Sequence, residues 1–300
     1  KTDQIRFLQA EDLGQLLQRF AGVNLKSYGG LGGMKTIAVR GIGGQHTAIL
    51  LDGFLTSNPQ SGLFDMGQIQ ADNIAKVSLG SAIQLETLVP VSALLSGNVL
   101  KLERFEDAYI RDSFQLRSAL RQGSFGQFDS YLSLKLSPTK KKNIFFSVYG
   151  KYRRANGKYP FQLINGTEQY TSQRNNNQLE EYYSGITFGF KGNKETANNR
   201  FTPFRLKFNY SFKYADQGLP GAVIIYNPSA NQYLKNENHR LNLKVTHVFR
   251  SIDFLHYLSG SYSNLRYVDS AYLNAQGYLN ATYFNSSLQY GFVARFKPTA

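Results

Sequence analysis

The 300-residue chain contains no cysteine and no tryptophan, and only 8 prolines and 2 methionines. Without cysteine there is no disulfide framework, no thiolate nucleophile and no Cys-based metal site. No run approaches the ~18 consecutive apolar residues of a membrane-crossing helix, which excludes a helical membrane protein. A β-barrel is not excluded, because its strands alternate apolar and polar residues. No secretory leader is read at Lys1. Acidic residues are also scarce, 20 against 34 basic, for a net charge of +14. The imbalance is local: residues 1–107 hold 9 basic and 10 acidic residues, and residues 108–300 hold 25 and 10. Such asymmetry fits a nucleic acid, an anionic lipid or an anionic solute as partner.

What the chain does have is 20 Tyr, 22 Phe and 27 Gly, a composition suited to β-structure. Residues 1–107 read as a mixed α/β unit. Leu13, Leu16, Leu17 and Phe20 share one helical face over Asp12–Phe20, and Gly22 follows at the expected stop. Thr36–Val39 and Thr47–Leu51, joined by Gly41–Gln45, predict a hairpin. Val91–Ser96 predicts a helical turn and Val99–Leu102 a last strand.

From Phe114 the pattern changes. Phe204, Leu206, Phe208, Tyr210, Phe212 and Tyr214 alternate with Arg205, Lys207, Asn209, Ser211 and Lys213, about the length of a tilted membrane-crossing strand. The same alternation recurs over Phe128–Leu136, Ile144–Tyr152, Tyr182–Phe190, Leu241–Phe249 and Phe284–Phe296, and more weakly over Phe114–Leu120 and Phe254–Tyr262. A soluble sandwich would also alternate. Aromatic strand ends favour a membrane barrel instead. So do connections that, after the first, are long on one side (154–178, 215–238, 264–282) and shorter on the other. A closed eight-stranded barrel has room only for its own side chains, whereas a plugged lumen belongs to barrels of about 22 strands. An open wall leaves unpaired edges in lipid. The fold expected is therefore a mixed α/β domain (1–107) followed by about eight antiparallel transmembrane strands (108–300), the chain being part of a longer one.

Few motifs carry chemistry. Gly33-Met34-Lys35-Thr36 lacks the spacing and the following helix of a phosphate loop. His46, His239, His247 and His256 have no metal-ligand spacing. No Ser/His/Asp arrangement is evident, so neither an enzyme nor a cofactor is expected. Arg117, Lys135, Lys151, Arg153, Arg205, Lys207, Lys213, Lys244 and Arg295 fall opposite the apolar stripes. They either complement carboxylates on the N-terminal unit or on further strands, meet lipopolysaccharide phosphates at the rim, or guide an anionic nutrient. Nucleic acid is not expected, because alternation puts cations and aromatics on opposite faces.

Val39-Arg40-Gly41 followed by Ile49-Leu50-Leu51-Asp52-Gly53-Phe54 resembles the paired RG and DG motifs of the plug domain of TonB-dependent outer-membrane receptors. Asp12–Leu17 with Ala21-Gly22-Val23, and Val91–Val99, resemble that family's first plug helix and its approach to the barrel. The Gly-rich run 28–36 and Gly218–Val223 resemble the Bacteroidota branch related to cobalamin receptors. The family's RGP arginine is replaced by Leu79-Gly80-Ser81.

The resemblance implies a Gram-negative outer-membrane transporter driven by TonB. It would bind a scarce nutrient (cobalamin, a ferric siderophore or haem), with outer-membrane lipid and lipopolysaccharide and a surface lipoprotein as further partners. Solute contacts are expected at Tyr28, Leu31, Met34, Asn58, Gln60 and Leu63, with Tyr159 and Tyr226 from long loops. A plug-to-barrel latch is expected at Arg40, with Glu180 and Glu181 as its carboxylates. The second reading is a non-transporting plugged-barrel component of a larger outer-membrane complex.

Overall fold

The computed structural model describes residues 13–28, 32–56, 62–81, 89–104, 114–137, 143–165, 167–195, 201–221, 230–275 and 277–297. The N-terminal unit holds helix α1 (Leu13–Leu17), strands β1 (Val23–Tyr28), β2 (Met34–Val39), β3 (Thr47–Leu51), β4 (Phe54–Leu55) and β5 (Ile74–Ser81), the turn of helix α2 (Val91–Leu94) and β6 (Asn98–Arg104). β1 and β2 form one antiparallel pair, and β4-β3-β6-β5 form a separate sheet in which β3 and β6 are parallel.

The expected hairpin between Thr36–Val39 and Thr47–Leu51 is therefore corrected: β2 and β3 lie in different sheets. The reason lies in burial. β3 is an apolar run whose first four residues are all buried, the signature of a central strand covered on both faces. One face packs with Leu13, Leu16, Leu17, Met66 and Leu100, and the other with Val89, Ala93 and Val99. Its ladder edges are filled by β4 and β6, which leaves no position for β2.

Both glycine motifs are tight turns. Arg40 (φ 52°) and Gly41 (φ 78°) reverse the chain between Val39 and Ile42, whose backbones exchange hydrogen bonds of 3.0 and 2.9 Å. Asp52 (φ 54°) and Gly53 (φ 84°) join β3 to β4. Two consecutive positive φ values define the turn that matches strand twist, and Asp-Gly is among its preferred pairs.

The remaining strands are β7 (Phe114–Gln122), β8 (Phe128–Leu136), β9 (Ile144–Ala155), the short hairpin β10 (Pro160–Asn165) and β11 (Glu168–Gln173), β12 (Leu179–Glu195), β13 (Phe201–Leu219), β14 (Gln232–Phe249), β15 (Ile252–Asn274) and β16 (Gly277–Phe296). Apart from the hairpin, they form one antiparallel eight-stranded sheet running from β7 to β16 in chain order. All eight alternating segments are strands of this sheet. The expected domain boundary at 107 falls in 105–113, outside the described residues.

The sequence underestimates the length of these strands. The stretch 264–282, expected as a long loop, is mostly paired: β15 runs for 23 residues, and its ladder with β16 continues to Asn274↔Gly277. Part of 215–238 is likewise strand, since Leu219 pairs with Gln232. The cause is a change of environment along a continuous ladder. In register, the outward row Tyr152↔Tyr182↔Tyr214 is followed by Arg154↔Glu180↔Asp216↔Lys235↔Arg266. Beyond the tyrosines the outer face turns polar, so the hydropathy signal ends while backbone pairing goes on.

Toward the other end, outward positions on β12 to β15 carry no Asp, Glu, Lys or Arg down to the Phe190–Phe204 and His247–Phe254 ring pairs. Two aromatic rows bounding an uncharged band is the profile of a hydrocarbon-facing barrel wall. On β12, burial alternates without exception from Glu181 to Gly189, the odd residues buried and the even ones exposed.

Gly157 (φ 61°) packs where a Cβ would overlap the Asn177 carbonyl oxygen, whereas Gly221 (φ 69°) has no atom within 4 Å of its Cβ position. Gly221→Ala should cost about 1 kcal/mol, the left-handed backbone term alone. Gly157→Ala should cost more, as a lower thermal unfolding midpoint of the full-length protein will show.

Candidate functional site

The Asp52-Gly53 turn docks the N-terminal unit onto the sheet. Because Asp52 sits in the left-handed region at the end of β3, its carboxylate reaches the end of β6, where it accepts from the Arg104 backbone N–H at 2.9 Å and from Arg104 Nε at 2.7 Å. Lys207 Nζ on β13 lies 3.3 Å from the same carboxylate. Arg104 in turn donates to Asn209 Oδ1 at 2.8 Å, and Asn209 donates to Thr187 Oγ1 at 2.9 Å. Gly53 is required here, since a Cβ would sit 2.6 Å from Lys244 Nζ. Burial alone would raise the Asp52 carboxyl, but the charges of Arg104 and Lys207 and the Arg104 hydrogen bonds outweigh it and hold the pKa at about 2.

A second carboxylate, Asp72, precedes β5 in a short helical turn. It is clasped by Arg121 of β7 and by Lys151 of β9, the latter at 3.1 Å. Burial opposes its ionisation, and the Arg121 hydrogen bond with the Lys151 charge reverses the balance, so its pKa is lowered. From Lys151 the ion pairs continue along the inner face. Asp129 meets Lys151 at 4.0 Å and Arg153 at 2.9 Å, and Glu181 meets Arg153 at 3.5 Å and Lys213 at 3.3 Å. The Tyr183 hydroxyl lies 3.0 Å from both Glu181 Oε1 and the Gly67 carbonyl oxygen, tying this network back to the N-terminal unit.

The expected latch residues stand elsewhere. Arg40 is exposed at its turn and makes no ion pair among the described residues. Glu180 points to the outer face, accepting from Tyr152 at 3.0 Å and Tyr182 at 2.6 Å. Glu181 is on the inner face, in the network above. The direct pairs therefore run from carboxylates on the N-terminal unit to cations on the sheet. The RG turn points its side chain to solvent, and the DG turn points its side chain inward. Of the inner-face cations read from the alternation, Lys151, Arg153, Lys207, Lys213 and Arg295 have carboxylate partners. Sequence reasoning missed Asp72 and Arg104 altogether. The acid-poor charge of 108–300 was the signal that carboxylates must come from outside it.

Of the expected solute contacts, Met34 and Leu63 line a common cavity of about 320 Å³ between the N-terminal unit and the sheet. Tyr28 is exposed and pairs with Met34 at the end of β1–β2 where the connecting loop begins. Gly32, nearby, abuts Leu179 and Gln217 at the long-loop end of the sheet. Tyr159 packs tilted against Phe125 and edge-on to Phe161, with ring centroids 5.5 and 6.4 Å away, at that same end. Leu31, Asn58, Gln60 and Tyr226 lie outside the described residues. His239, His247 and His256 are on the outer face, His247 stacked on His256 at 5.6 Å. Among the described residues no three metal-binding side chains converge, and no helix is long and apolar enough to cross a membrane.

Residues 1–82 match the family model "TonB-dependent Receptor Plug Domain". No curated protein sequence matches the chain. Among solved structures, a mutant of the ferric enterobactin receptor PfeA from Pseudomonas aeruginosa is similar over 96% of this chain and 44% of its own, at 14% identity and a TM-score of 0.60. The ferric yersiniabactin uptake receptor FyuA from Yersinia pestis is similar over 94% and 50%, at 12% identity and 0.56. The copper transporter OprC is similar over 95% and 49%, at 13% identity and 0.54. At these identities the likeness is one of fold: a plug domain followed by antiparallel barrel strands. The chain spans about half the length of each of these structures.

Removing one partner of a buried ion pair leaves the other charge uncompensated, at a cost of about 3–5 kcal/mol. Asp52→Ala should therefore destabilise docking of the plug by that order, read as faster proteolysis of the plug in full-length protein. The carboxyl titrates at 3.8 when unfolded and about 2 when folded, so its contribution is complete above the higher value and is lost as pH falls through the lower. Plug protection should be the same at pH 5 and pH 7 in this respect, declining only below about pH 4.

Proposed function

We propose that this chain is the plug and first strands of a TonB-dependent transporter in the Gram-negative outer membrane. Residues 1–107 form the plug, and residues 108–300 form part of a barrel of about 22 strands. The observation that carries the reading is the pairing of plug carboxylates Asp52 and Asp72 with inner-face cations of a sheet whose outer face is an uncharged band. A domain locked inside a lipid-facing wall closes a large pore at rest, and such closure has a use only if it can be released. The sheet edges at β7 and β16 support the larger barrel, because unpaired strand edges are not tolerated in hydrocarbon.

The cargo is a scarce solute, of the class of cobalamin, a ferric siderophore or haem, and Gly218–Val223 favours the cobalamin-related branch. It is received at the long-loop end by Tyr28, Leu31, Met34, Asn58, Gln60 and Leu63 of the plug, with Tyr159 and Tyr226 of the loops. Ligand binding biases the plug, and force transmitted through TonB then breaks the Asp52 and Asp72 pairs. Ion pairs suit this role, since they hold by a few short contacts and separate without exposing apolar core. Binding of at least one of these three solutes to the full-length protein is expected. A gene deletion and a TonB deletion should then share a growth defect when that solute is limiting. No binding, together with normal growth of the deletion strain under starvation, would exclude uptake.

A further inference from the structure

The cavity between plug and sheet contains a charge that the locks leave unused. Arg240 of β14 lines it, and its guanidinium lies 5.3 Å from the centroid of the Phe64 ring. Among the described residues it makes no ion pair, whereas Arg104, on the opposite wall of the cavity, is engaged by Asp52. Asp65, the carboxylate in the plug's share of the lining, is engaged elsewhere: its Oδ1 accepts from the backbone N–H groups of Lys35 and Gly67, each at 2.9 Å. One row toward the long loops, Lys213 is matched by Glu181.

The space around Arg240 follows from sequence. Its cross-strand row reads Ser211↔Arg240↔Ser261↔Ser287, so serines flank it on both sides, and beyond Ser211 the Tyr149 ring lies over Gly185 and lines the cavity. Above it, Asn236 and Asn238 face the same cavity. The lining thus offers amides and hydroxyls, which both donate and accept, around the Arg240 guanidinium, which has no carboxylate partner among the described residues. A cation that is partly buried and uncompensated in the resting protein is a site for an anion.

We propose that Arg240 is the anion-recognition residue of a solute site between plug and wall, and that the solute presents a carboxylate or phosphate on a hydroxyl-rich body. The guanidinium fork takes the oxyanion, Phe64 backs the guanidinium, and the Asn and Ser side chains take hydroxyls. The site adds a charge class to the transport reading and relies on that reading only for what happens after binding.

The test is calorimetric titration of detergent-solubilised full-length protein with gluconate, inorganic phosphate and uncharged sorbitol. Gluconate or phosphate should bind at least about tenfold more tightly than sorbitol, consistent with the greater strength of charge-assisted hydrogen bonds. Arg240→Gln should lose about tenfold or more of that affinity with an unchanged thermal midpoint, and Arg240→Lys should retain part of it. Equal anion binding by wild type and Arg240→Gln, or no anion binding by wild type, overturns the proposal. The two readings fail separately. Arg240-dependent binding without TonB-dependent uptake removes the transport reading alone. Normal uptake by Arg240→Gln removes this one alone.

Discussion

The arrangement of the molecule depends on neutralising charge on a buried surface. The inner face of the sheet carries Lys151, Arg153, Lys207 and Lys213, all largely withdrawn from water. Bare, such a surface would be prohibitively costly to cover with another domain. Asp129 and Glu181 of the sheet compensate part of it, and Asp72 and Asp52 of the plug supply the remainder where the two parts meet. Buried pairs of this kind contribute little net stability, but mismatching them is expensive. Their effect is to determine where the plug sits: the Asp52-Gly53 turn against β13 and β14, and Asp72 against β7 and β9.

The two faces of each strand are under different demands, and the two-residue period of a strand lets one sequence meet both. Outward residues are uncharged over a limited height and polar beyond it, and the register shows the transition as a tyrosine row followed by a charged row. Inward residues face the side on which the plug sits, and Lys151, Lys207 and Tyr183 bond to it directly. Hydropathy therefore describes only part of each strand, whereas hydrogen bonding extends β15 to 23 residues. Beyond the tyrosine row the sheet reaches the end of the plug that carries Gly32, which abuts Leu179 and Gln217.

Most of the fold was legible. Strict alternation in Phe204–Tyr214 and its counterparts marked every strand of the large sheet, because a sheet with one face toward the plug and the other uncharged forces that pattern. Asp52-Gly53 was recognisable only by its resemblance to the DG motif of the plug family. Its role was not, since nothing in the neighbourhood of Asp52 in sequence points to Arg104 or Lys207, more than fifty and more than one hundred and fifty positions away. Arg40 and Asp52 occupy equivalent places in two similar turns. Which of the two faces inward depends on the sheet each turn belongs to, and the separation of β2 from β3 reversed that expectation.

By itself, the sequence determined strand identity, the division of grammar between the plug and the wall, and the surplus of positive charge that had to be met from elsewhere. These follow from local periodicity and composition, which act over a few residues. The tertiary structure alone decided which carboxylates meet which cations, and that Arg240 has no carboxylate partner among the described residues, in a cavity where serines flank it. Those outcomes depend on register between strands and on the seating of one domain against another. Both are set by contacts between residues that the chain keeps far apart.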